Sequence, residues 1–225
     1  MIKDNLKSVK SRIKSAAVKA GRNPDEIILV CVTKSRDLSL IEEAFEAGIT
    51  DIGENRVQEA LTKYGQITKP LKWHLVGHLQ RNKAKDAARI FDIIHSVDSV
   101  LLADKINKEC NILNKNIEVL VQLNVAEEDA KFGMGAEELR PFLKEVSIFE
   151  HIKIMGLMMI APLVSDPESA RPYFRKMKEI FESLKKENLP KIEMQYLSMG
   201  MSGDFEVAIE EGANMVRIGT AIFEG

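Results

Sequence analysis

The amino-acid sequence predicts an α/β fold, a single (β/α)8 barrel of the TIM type. Short apolar runs rich in β-branched residues alternate with longer amphipathic stretches from about Ile27 onward, which is typical of a parallel sheet covered by helices. Eight such runs occur, and that number favours a closed barrel over an open doubly wound sheet. No linker, repeat or composition shift interrupts the alternation, so we expect residues 1–225 to form one domain.

The predicted strands are short and mostly apolar, as expected for strands buried on both faces. They are Ile27–Thr33, Thr50–Gly53, Lys72–Gly77, Ile93–Val97, Glu118–Asn124, Lys153–Ile160, Glu193–Ser198 and Met215–Gly219. One helix between them is indicated by apolar residues at spacings of three and four, namely Phe174, Met177, Phe181 and Leu184. Ser39 and Glu42 predict a capping box at the start of another helix.

An additional amphipathic segment precedes the first predicted strand. Its apolar face consists of Leu6, Val9, Ile13 and Ala17. Only six residues follow Gly219, too few for a full helix after the eighth strand. We therefore expect this extra N-terminal helix to occupy the place of the eighth one.

Composition excludes several functional classes. Lys and Arg total 32 against 34 Asp and Glu, with both signs spread along the chain, which argues against a nucleic-acid partner. Residues 1–20 lack the apolar core of a signal peptide, and no apolar run approaches the roughly 20 residues of a membrane-spanning helix. Cys31 and Cys110 match no disulfide framework or zinc spacing. We expect a cytoplasmic protein without a membrane partner.

Lys34 closes the first predicted strand and is the first candidate functional residue. Active sites of (β/α)8 barrels lie at the C-terminal ends of the strands, so this amine is expected at the mouth of an apolar barrel. An amine removed from water at such a mouth is suited to imine formation, which an arginine cannot undergo. The alternative interpretation is a solvated loop lysine, the usual state of a lysine at a strand end.

Two segments containing hydroxyls and glycine follow the seventh and eighth predicted strands. Ser198–Ser202, of sequence Ser-Met-Gly-Met-Ser, leads into a helix predicted to start near Gly203 or Asp204, and a helix N-terminus with hydroxyls suits an anion. Arg217–Thr220 adds another glycine and hydroxyl. Barrel enzymes frequently bind phosphate after these two strands. Each segment alone is an ordinary turn, whereas together they predict a phosphorylated ligand.

Three further polar residues, Asn55, His74 and Asn124, lie near strand ends, although each could be a hydrogen-bonded core or loop residue. Met158 could form an apolar wall against a flat ring, and core packing explains it equally well. His74 and His78 do not predict a metal site, because strand and turn geometry would not bring them together.

Several segments, in order and spacing, resemble the pyridoxal phosphate homeostasis protein family. They are Val32–Lys34, Asp51–Glu59, Trp73–Lys83, Gly156–Ile160, Leu197–Ser202 and Met215–Thr220. The resemblance spans nearly the whole chain. It implies a barrel like the N-terminal domain of bacterial alanine racemase (PLP fold type III), with pyridoxal 5'-phosphate (PLP) held as a Schiff base on the lysine that matches Lys34.

The resemblance also implies roles for other residues. Arg217 matches an arginine that faces the pyridine nitrogen, and a guanidinium there stays a donor and leaves that nitrogen unprotonated, so the ring is a weak electron sink. Alanine racemase takes a tyrosine base from a second domain that we do not expect here. The residues matching the phosphate site are Ser198, Ser202, Gly219 and Thr220. Asn55, His74, Met158 and Met199 complete the expected cofactor-binding set.

The resemblance implies a role in vitamin B6 and amino-acid homeostasis as a carrier or buffer of PLP, with PLP-dependent apoenzymes as partners and with no catalytic residue assigned. No association motif is visible, so a monomer is expected. Two alternatives stay open: a weak PLP-dependent racemase or decarboxylase, and a sugar-phosphate enzyme using Lys34 for an aldolase-type imine. Lys131, after the fifth strand, is either a second amine at the mouth or a solvated loop lysine.

Overall fold

Eight parallel strands form a closed barrel in which each strand pairs with the next and the last pairs with the first. The computed structural model describes residues 1–126, 128, 132–187 and 189–225. The strands are β1 (Ile28–Val32), β2 (Asp51–Glu54), β3 (Lys72–Leu75), β4 (Ile93–Val97), β5 (Ile117–Gln122), β6 (Ile152–Met158), β7 (Ile192–Met201) and β8 (Met215–Ile218). The predicted (β/α)8 barrel is confirmed, and all eight predicted strands are present.

Helices connect the strands and cover the outside of the barrel. They are α1 (Ile2–Lys19), α2 (Leu38–Glu46), α3 (Val57–Tyr64), α4 (Ala84–Ile90), α5 (Val100–Ile112), α6 (Leu139–Val146), α7 (Arg171–Glu187), α8 (Phe205–Glu210) and α9 (Thr220–Phe223). Short 3-10 helices lie at Pro24–Glu26, Arg81–Lys83 and Pro167–Ala170. Within the part of the chain that the structure describes, no helix is both long and apolar enough to cross a membrane.

Strand alternation divides the buried residues into two layers. On β8, Met215 packs inside the barrel with Val30 and Ile93, whereas Val216 and Ile218 pack between the sheet and the helices. Because successive side chains of a strand point to opposite faces, alternate residues face the barrel axis where a strand is regular. Register shifts interrupt this pattern, and on β6 both Met155 and Met158 pack inside the barrel. The inward-facing residues nearest the C-terminal strand ends therefore decide what the barrel mouth presents to a ligand.

Helix α1 fills the place of an eighth helix, as predicted. It buries the predicted apolar face and packs against α8 and α9, with further contacts to α2. Arg12 reaches Glu206 of α8 through two hydrogen bonds of 3.1 and 2.6 Å. The Asn5 side-chain amide donates to the Ile222 carbonyl in α9 at 3.0 Å. The N-terminal segment thus covers the seam between the last and first strands.

The two helix predictions had different outcomes. The apolar face of α7 is buried as its spacing predicts. The capping box of Ser39 and Glu42 is wrong, because α2 begins at Leu38 and Ser39 lies inside it. Asp37 takes the extended N-cap conformation (φ −71°, ψ 157°), without a capping hydrogen bond from its side chain. The turn between β1 and this start contains Ser35, which has a left-handed backbone (φ 57°).

Candidate functional site

A cavity of about 490 Å³ opens at the C-terminal ends of the strands. Cavities of a few hundred cubic ångströms are the size that holds small organic ligands. The predicted site residues that border it are Lys34, Asn55, Ser202, Arg217, Gly219 and Thr220. Its apolar walls are Val32, Val76, Ile160 and Met201, which the sequence reasoning missed. Strand alternation could have indicated Val32 and Val76, but apolar residues at strand ends carry no chemical signal of their own.

Lys34 lies in the turn that follows β1 and borders the cavity. Its side chain is exposed, so the expected removal of this amine from water is not provided by the barrel walls. The reason is local: Val32 is the last strand residue, and the chain leaves the barrel rim at Lys34 before the left-handed Ser35. Burial of this amine would have to come from a ligand that fills the cavity.

The loops after β7 and β8 meet on another side of the cavity. Ser202 accepts a hydrogen bond from the Ala221 backbone N–H at 3.4 Å, which joins the two loops. A Cβ on Gly219 would lie 3.0 Å from the Val32 carbonyl oxygen, so a glycine allows this close approach to β1. The hydroxyls of Ser202 and Thr220 form a donor set suited to a phosphate group.

Asp204 modifies the predicted anion site at the helix after β7. Helix α8 begins at Phe205, one residue after Asp204, close to the predicted start. The Asp204 carboxylate accepts a hydrogen bond from the Met201 backbone N–H at 2.6 Å. Burial raises the pKa of Asp204, and the hydrogen bond from Met201 opposes that rise. A carboxylate therefore stands at the start of α8, and the donors nearer α9 fit an anion better.

Arg217 is a buried cation at the edge of the cavity, with only 4% of the residue exposed. One terminal nitrogen, Nη1, donates to the Ser198 hydroxyl at 2.6 Å, and the other, Nη2, donates to the Met159 carbonyl at 2.8 Å. Burial lowers the pKa of Arg217 to about 10, with the negative charge of Asp204 opposing the shift. The guanidinium stays protonated near neutral pH and is held in one orientation as a hydrogen-bond donor.

A chain of buried polar side chains continues from Arg217 through the barrel interior. The Ser198 hydroxyl lies 3.0 Å from His95 Nδ1, and His95 Nε2 lies 2.9 Å from His74 Nδ1. His74 Nε2 lies 3.0 Å from Asp51 Oδ1. The two histidines and the serine are completely buried. This chain therefore links the cavity edge to the N-terminal end of β2.

The Arg217 guanidinium fixes the direction of the first hydrogen bond in this chain, because it can only donate, so Ser198 accepts from it. Burial, and then the charges of His74 and Arg217, hold the pKa of His95 well below its usual value, so its ring is neutral. A neutral His95 donates from one ring nitrogen and accepts at the other, and its tautomer decides which of Ser198 and His74 receives its hydrogen.

Four predicted cofactor-binding residues do not border the cavity. Ser198 is completely buried beneath it and contacts Arg217. His74 and Met158 are buried inside the barrel, which places them below the mouth. Met199 packs between the sheet and the helices, because alternation along β7 turns it away from the axis where Ser198 points. Depth inside the barrel separates Ser198, His74 and Met158 from the cavity, whereas strand alternation separates Met199 from it.

Arg36 and Glu224, which the sequence reasoning did not single out, border the cavity and form an ion pair. The remaining residues named from the sequence are His78, Lys131 and Asn124. His78 stacks on Phe132 with ring centroids 3.7 Å apart, so it points away from His74. Lys131 lies outside the described residues. Asn124 is tied to the Glu128 backbone by hydrogen bonds of 2.9 and 3.3 Å, which makes it a loop-forming residue.

The chain is similar over its length to known proteins. The family model for the alanine racemase N-terminal domain matches residues 2–225. A pyridoxal phosphate homeostasis protein of Aquifex aeolicus is 41% identical over 221 residues, covering 98% of this chain and 96% of that protein. The structure of PipY from Synechococcus elongatus without PLP is 35% identical and superposes with a TM-score of 0.89, covering 99% of this chain and 100% of that one.

A second structure of PipY contains bound PLP. It is 34% identical to this chain, superposes with a TM-score of 0.87, and the match again covers 99% of this chain and 100% of that one. Full-length matches at this identity agree with the order and spacing of the motifs found in the sequence. The chain therefore belongs to the pyridoxal phosphate homeostasis protein family, within the wider family of the alanine racemase N-terminal domain.

Proposed function

We propose that this chain binds PLP in the mouth cavity, holds it as a Schiff base on Lys34, and serves vitamin B6 homeostasis as a carrier or buffer of the cofactor. The observation that supports this most directly is that Lys34, Arg217 and Thr220 border one cavity of about 490 Å³. The PLP-bound structure of the related PipY supports the same choice of ligand.

The residues around the cavity fit the chemical groups of PLP. The phosphate fits the hydroxyls of Ser202 and Thr220, and the pyridine nitrogen fits the fixed donor Arg217. The apolar walls suit the two faces of the ring, and the amine of Lys34 suits the aldehyde. When bound, PLP supplies an aldehyde that attaches reversibly to amines and a ring that withdraws electrons.

Two features favour holding the cofactor over using it for strong catalysis. Since the pKa of Arg217 is about 10, the guanidinium remains a donor near neutral pH, and a ring nitrogen that accepts its hydrogen bond stays unprotonated. Among the described residues that border the cavity, none is a tyrosine or a histidine, and the one carboxylate, Glu224, is paired with Arg36. A second base opposite Lys34 is thus not supplied by this set.

Covalent trapping tests the binding part of the proposal. Purified protein is mixed with PLP, its absorbance spectrum is recorded, and the complex is reduced with borohydride and mapped by mass spectrometry. We expect a reducible chromophore and a label on the peptide containing Lys34, both lost in Lys34→Ala. Lys14→Ala, at an exposed position on α1, is the matched control and should behave as wild type. A label that persists on the same peptide in Lys34→Ala would contradict the assignment.

Transfer and turnover measurements test the carrier part. We expect the loaded protein to release PLP slowly to an added PLP-dependent apoenzyme, measured as recovery of that enzyme's activity. Incubation with excess amino acid should produce neither the other enantiomer nor a decarboxylated amine. Multiple turnovers would instead support a weak racemase or decarboxylase. A protein that ignores PLP but binds a sugar phosphate would support the aldolase-type alternative.

A further inference from the structure

A buried ion cluster that the proposed binding site does not use lies beside the turn that carries Lys34. Its centre is Lys63 of α3, whose side chain is only 8% exposed. The ammonium donates to the Thr33 carbonyl at 2.8 Å, to Glu54 Oε1 at 2.8 Å and to Glu59 Oε1 at 2.7 Å. We call Thr33, Glu54, Glu59 and Lys63 the Lys63 cluster. None of its members borders the mouth cavity.

The Lys63 cluster holds the backbone on both sides of Lys34. On one side, Lys63 binds the Thr33 carbonyl directly. On the other side, Glu59 accepts a hydrogen bond from the Ser35 backbone N–H at 2.5 Å. Ser35 has a φ of 57°, a left-handed conformation that residues other than glycine rarely adopt. The contact from Glu59 therefore supports the unfavourable turn that directs the chain, and Lys34 with it, at the rim.

The Lys63 cluster removes charged side chains from water, which costs free energy. A buried ion pair is often no more stabilising than apolar residues of similar volume, so stability alone is a weak explanation for the cluster. Glu54 is completely buried, and its Oε2 has no hydrogen-bond partner among the described residues. Burial raises the pKa of Glu54, while the hydrogen bonds from Lys63 and Thr33 oppose that rise. The cluster joins β1, β2 and α3 at the one point where Lys34 leaves the barrel.

We propose that Lys63, together with Glu54 and Glu59, positions Lys34, so that covalent capture of PLP depends on a residue that does not touch the cofactor. This inference rests on the proposed function. The three hydrogens of the ammonium match the three acceptors, which fixes Thr33 relative to α3. A fixed turn limits the directions that the Lys34 side chain samples, and pre-orientation of a reacting group is a large source of rate.

The test separates covalent capture from non-covalent binding. Pyridoxine 5'-phosphate has the ring and the phosphate of PLP but carries an alcohol in place of the aldehyde, so it cannot attach to an amine. We expect Lys63→Met to slow covalent attachment of PLP at Lys34 about tenfold or more, because small misplacements of a reacting group have effects of that size. The affinity for pyridoxine 5'-phosphate should stay at the wild-type value. Attachment is followed by absorbance and by borohydride-trapped mass on the Lys34 peptide.

Two further variants keep the test decisive. Lys115→Met removes another partly buried lysine that binds a backbone carbonyl, that of Phe91 at 3.0 Å before β4, at the opposite end of the barrel. It should change neither measurement. Glu59→Gln keeps an acceptor for Ser35 but removes the charge that faces Lys63, at a side chain that is 26% exposed, so it serves if Lys63→Met does not fold. It should slow attachment less than Lys63→Met does.

Each outcome supports or overturns the inference. Slower attachment with unchanged binding of pyridoxine 5'-phosphate supports positioning, as does a shift of the label from Lys34 to other lysines. Wild-type attachment in both cluster variants overturns it. An equal loss of attachment and of binding also overturns it, because the cluster would then be purely structural. If the wild-type protein shows no attachment at Lys34, the proposed function fails and the inference fails with it.

Discussion

The buried ring of His95 makes the stability of this protein depend on pH in a defined direction. The residue is completely buried in the barrel, and burial, followed by the charges of His74 and Arg217, holds the pKa of His95 well below its ordinary value of 6.5. In the unfolded chain the same imidazole takes up a proton near its ordinary pKa of about 6.5. Below that pH the unfolded state binds one proton more than the folded state, so acid favours unfolding.

The size of the effect follows from the linkage relation. One proton bound only by the unfolded state changes the free energy of unfolding by about 1.4 kcal/mol per pH unit. Between pH 7.5 and pH 5 this single group removes about 2 kcal/mol of stability from the wild-type protein. His95→Gln keeps a polar side chain but cannot titrate. The stability difference between wild type and variant should therefore shrink by about 2 kcal/mol over that interval.

Urea unfolding followed by far-UV circular dichroism measures both free energies at each pH. Above pH 7.5 the two stability curves should run parallel, which controls for the direct cost of the substitution. Below pH 6.5 they should converge. Equal denaturant slopes for the two proteins are required for the comparison, since a changed slope signals a different unfolded state. Curves that stay parallel down to pH 5 would refute the neutral, buried imidazole.

Two substitutions near the mouth have equally direct expectations. Ser198→Ala leaves Nη1 of Arg217 without its acceptor and should cost about 1–3 kcal/mol in urea unfolding, and no measurable cost would contradict this pairing. Gly77→Ala places a Cβ 2.2 Å from the Asn55 carbonyl oxygen and should cost at least about 1–3 kcal/mol. The control is Gly65→Ala, whose added Cβ meets nothing within 4 Å, so it should be neutral or stabilising by up to about 1 kcal/mol. Equal losses of stability at both glycines would contradict the close approach of Gly77 to the Asn55 carbonyl.

Residues at the ends of parallel strands are the part of the site that sequence reasoning locates well. Lys34 follows β1, whereas Arg217 and Thr220 lie at the end of β8, far away in the chain. All three border one cavity because all strands of a parallel barrel end on the same face. Alternation then decides which of two neighbours faces that cavity. For Ser198 and Met199, a single position separates the contact with Arg217 from the layer beneath the helices.

Strand register limits what the sequence can predict about buried partners. His95 and Ser198 are 103 positions apart, and their contact depends on where β4 and β7 stand across the barrel. The pairing of β7 with β8 shifts register between Ser198 and Met201, an irregularity that alternation does not reveal. This shift is also where β7 continues past its predicted end at Ser198. Contacts across the barrel therefore had to come from the structure.

Lys63 belongs to a charge pair whose spacing is typical of an exposed helix surface, yet its side chain is buried. Glu59 and Lys63 have the spacing of an exposed ion pair on a helix surface, which contributes little to stability. In the folded chain this lysine is covered on the side of Glu54, a residue that belongs to a strand and follows no helical period. The sequence shows the pair, and only the packing of α3 on β2 makes it a buried cluster.

The apolar face of α1 is buried long after it is synthesised, because its partners α8 and α9 lie near the other end of the sequence. Its Asn5 bonds to Ile222 across a separation of 217 positions, and its Arg12 bonds to Glu206 across 194. Contacts of such high sequence separation form late, because the intervening chain must be ordered first. The apolar face of α1, including Ile2 and Leu6, is synthesised before α8 and α9, so it lacks these partners until the end of the barrel has been made. During that interval this face exposes apolar surface, which favours aggregation or binding to a chaperone.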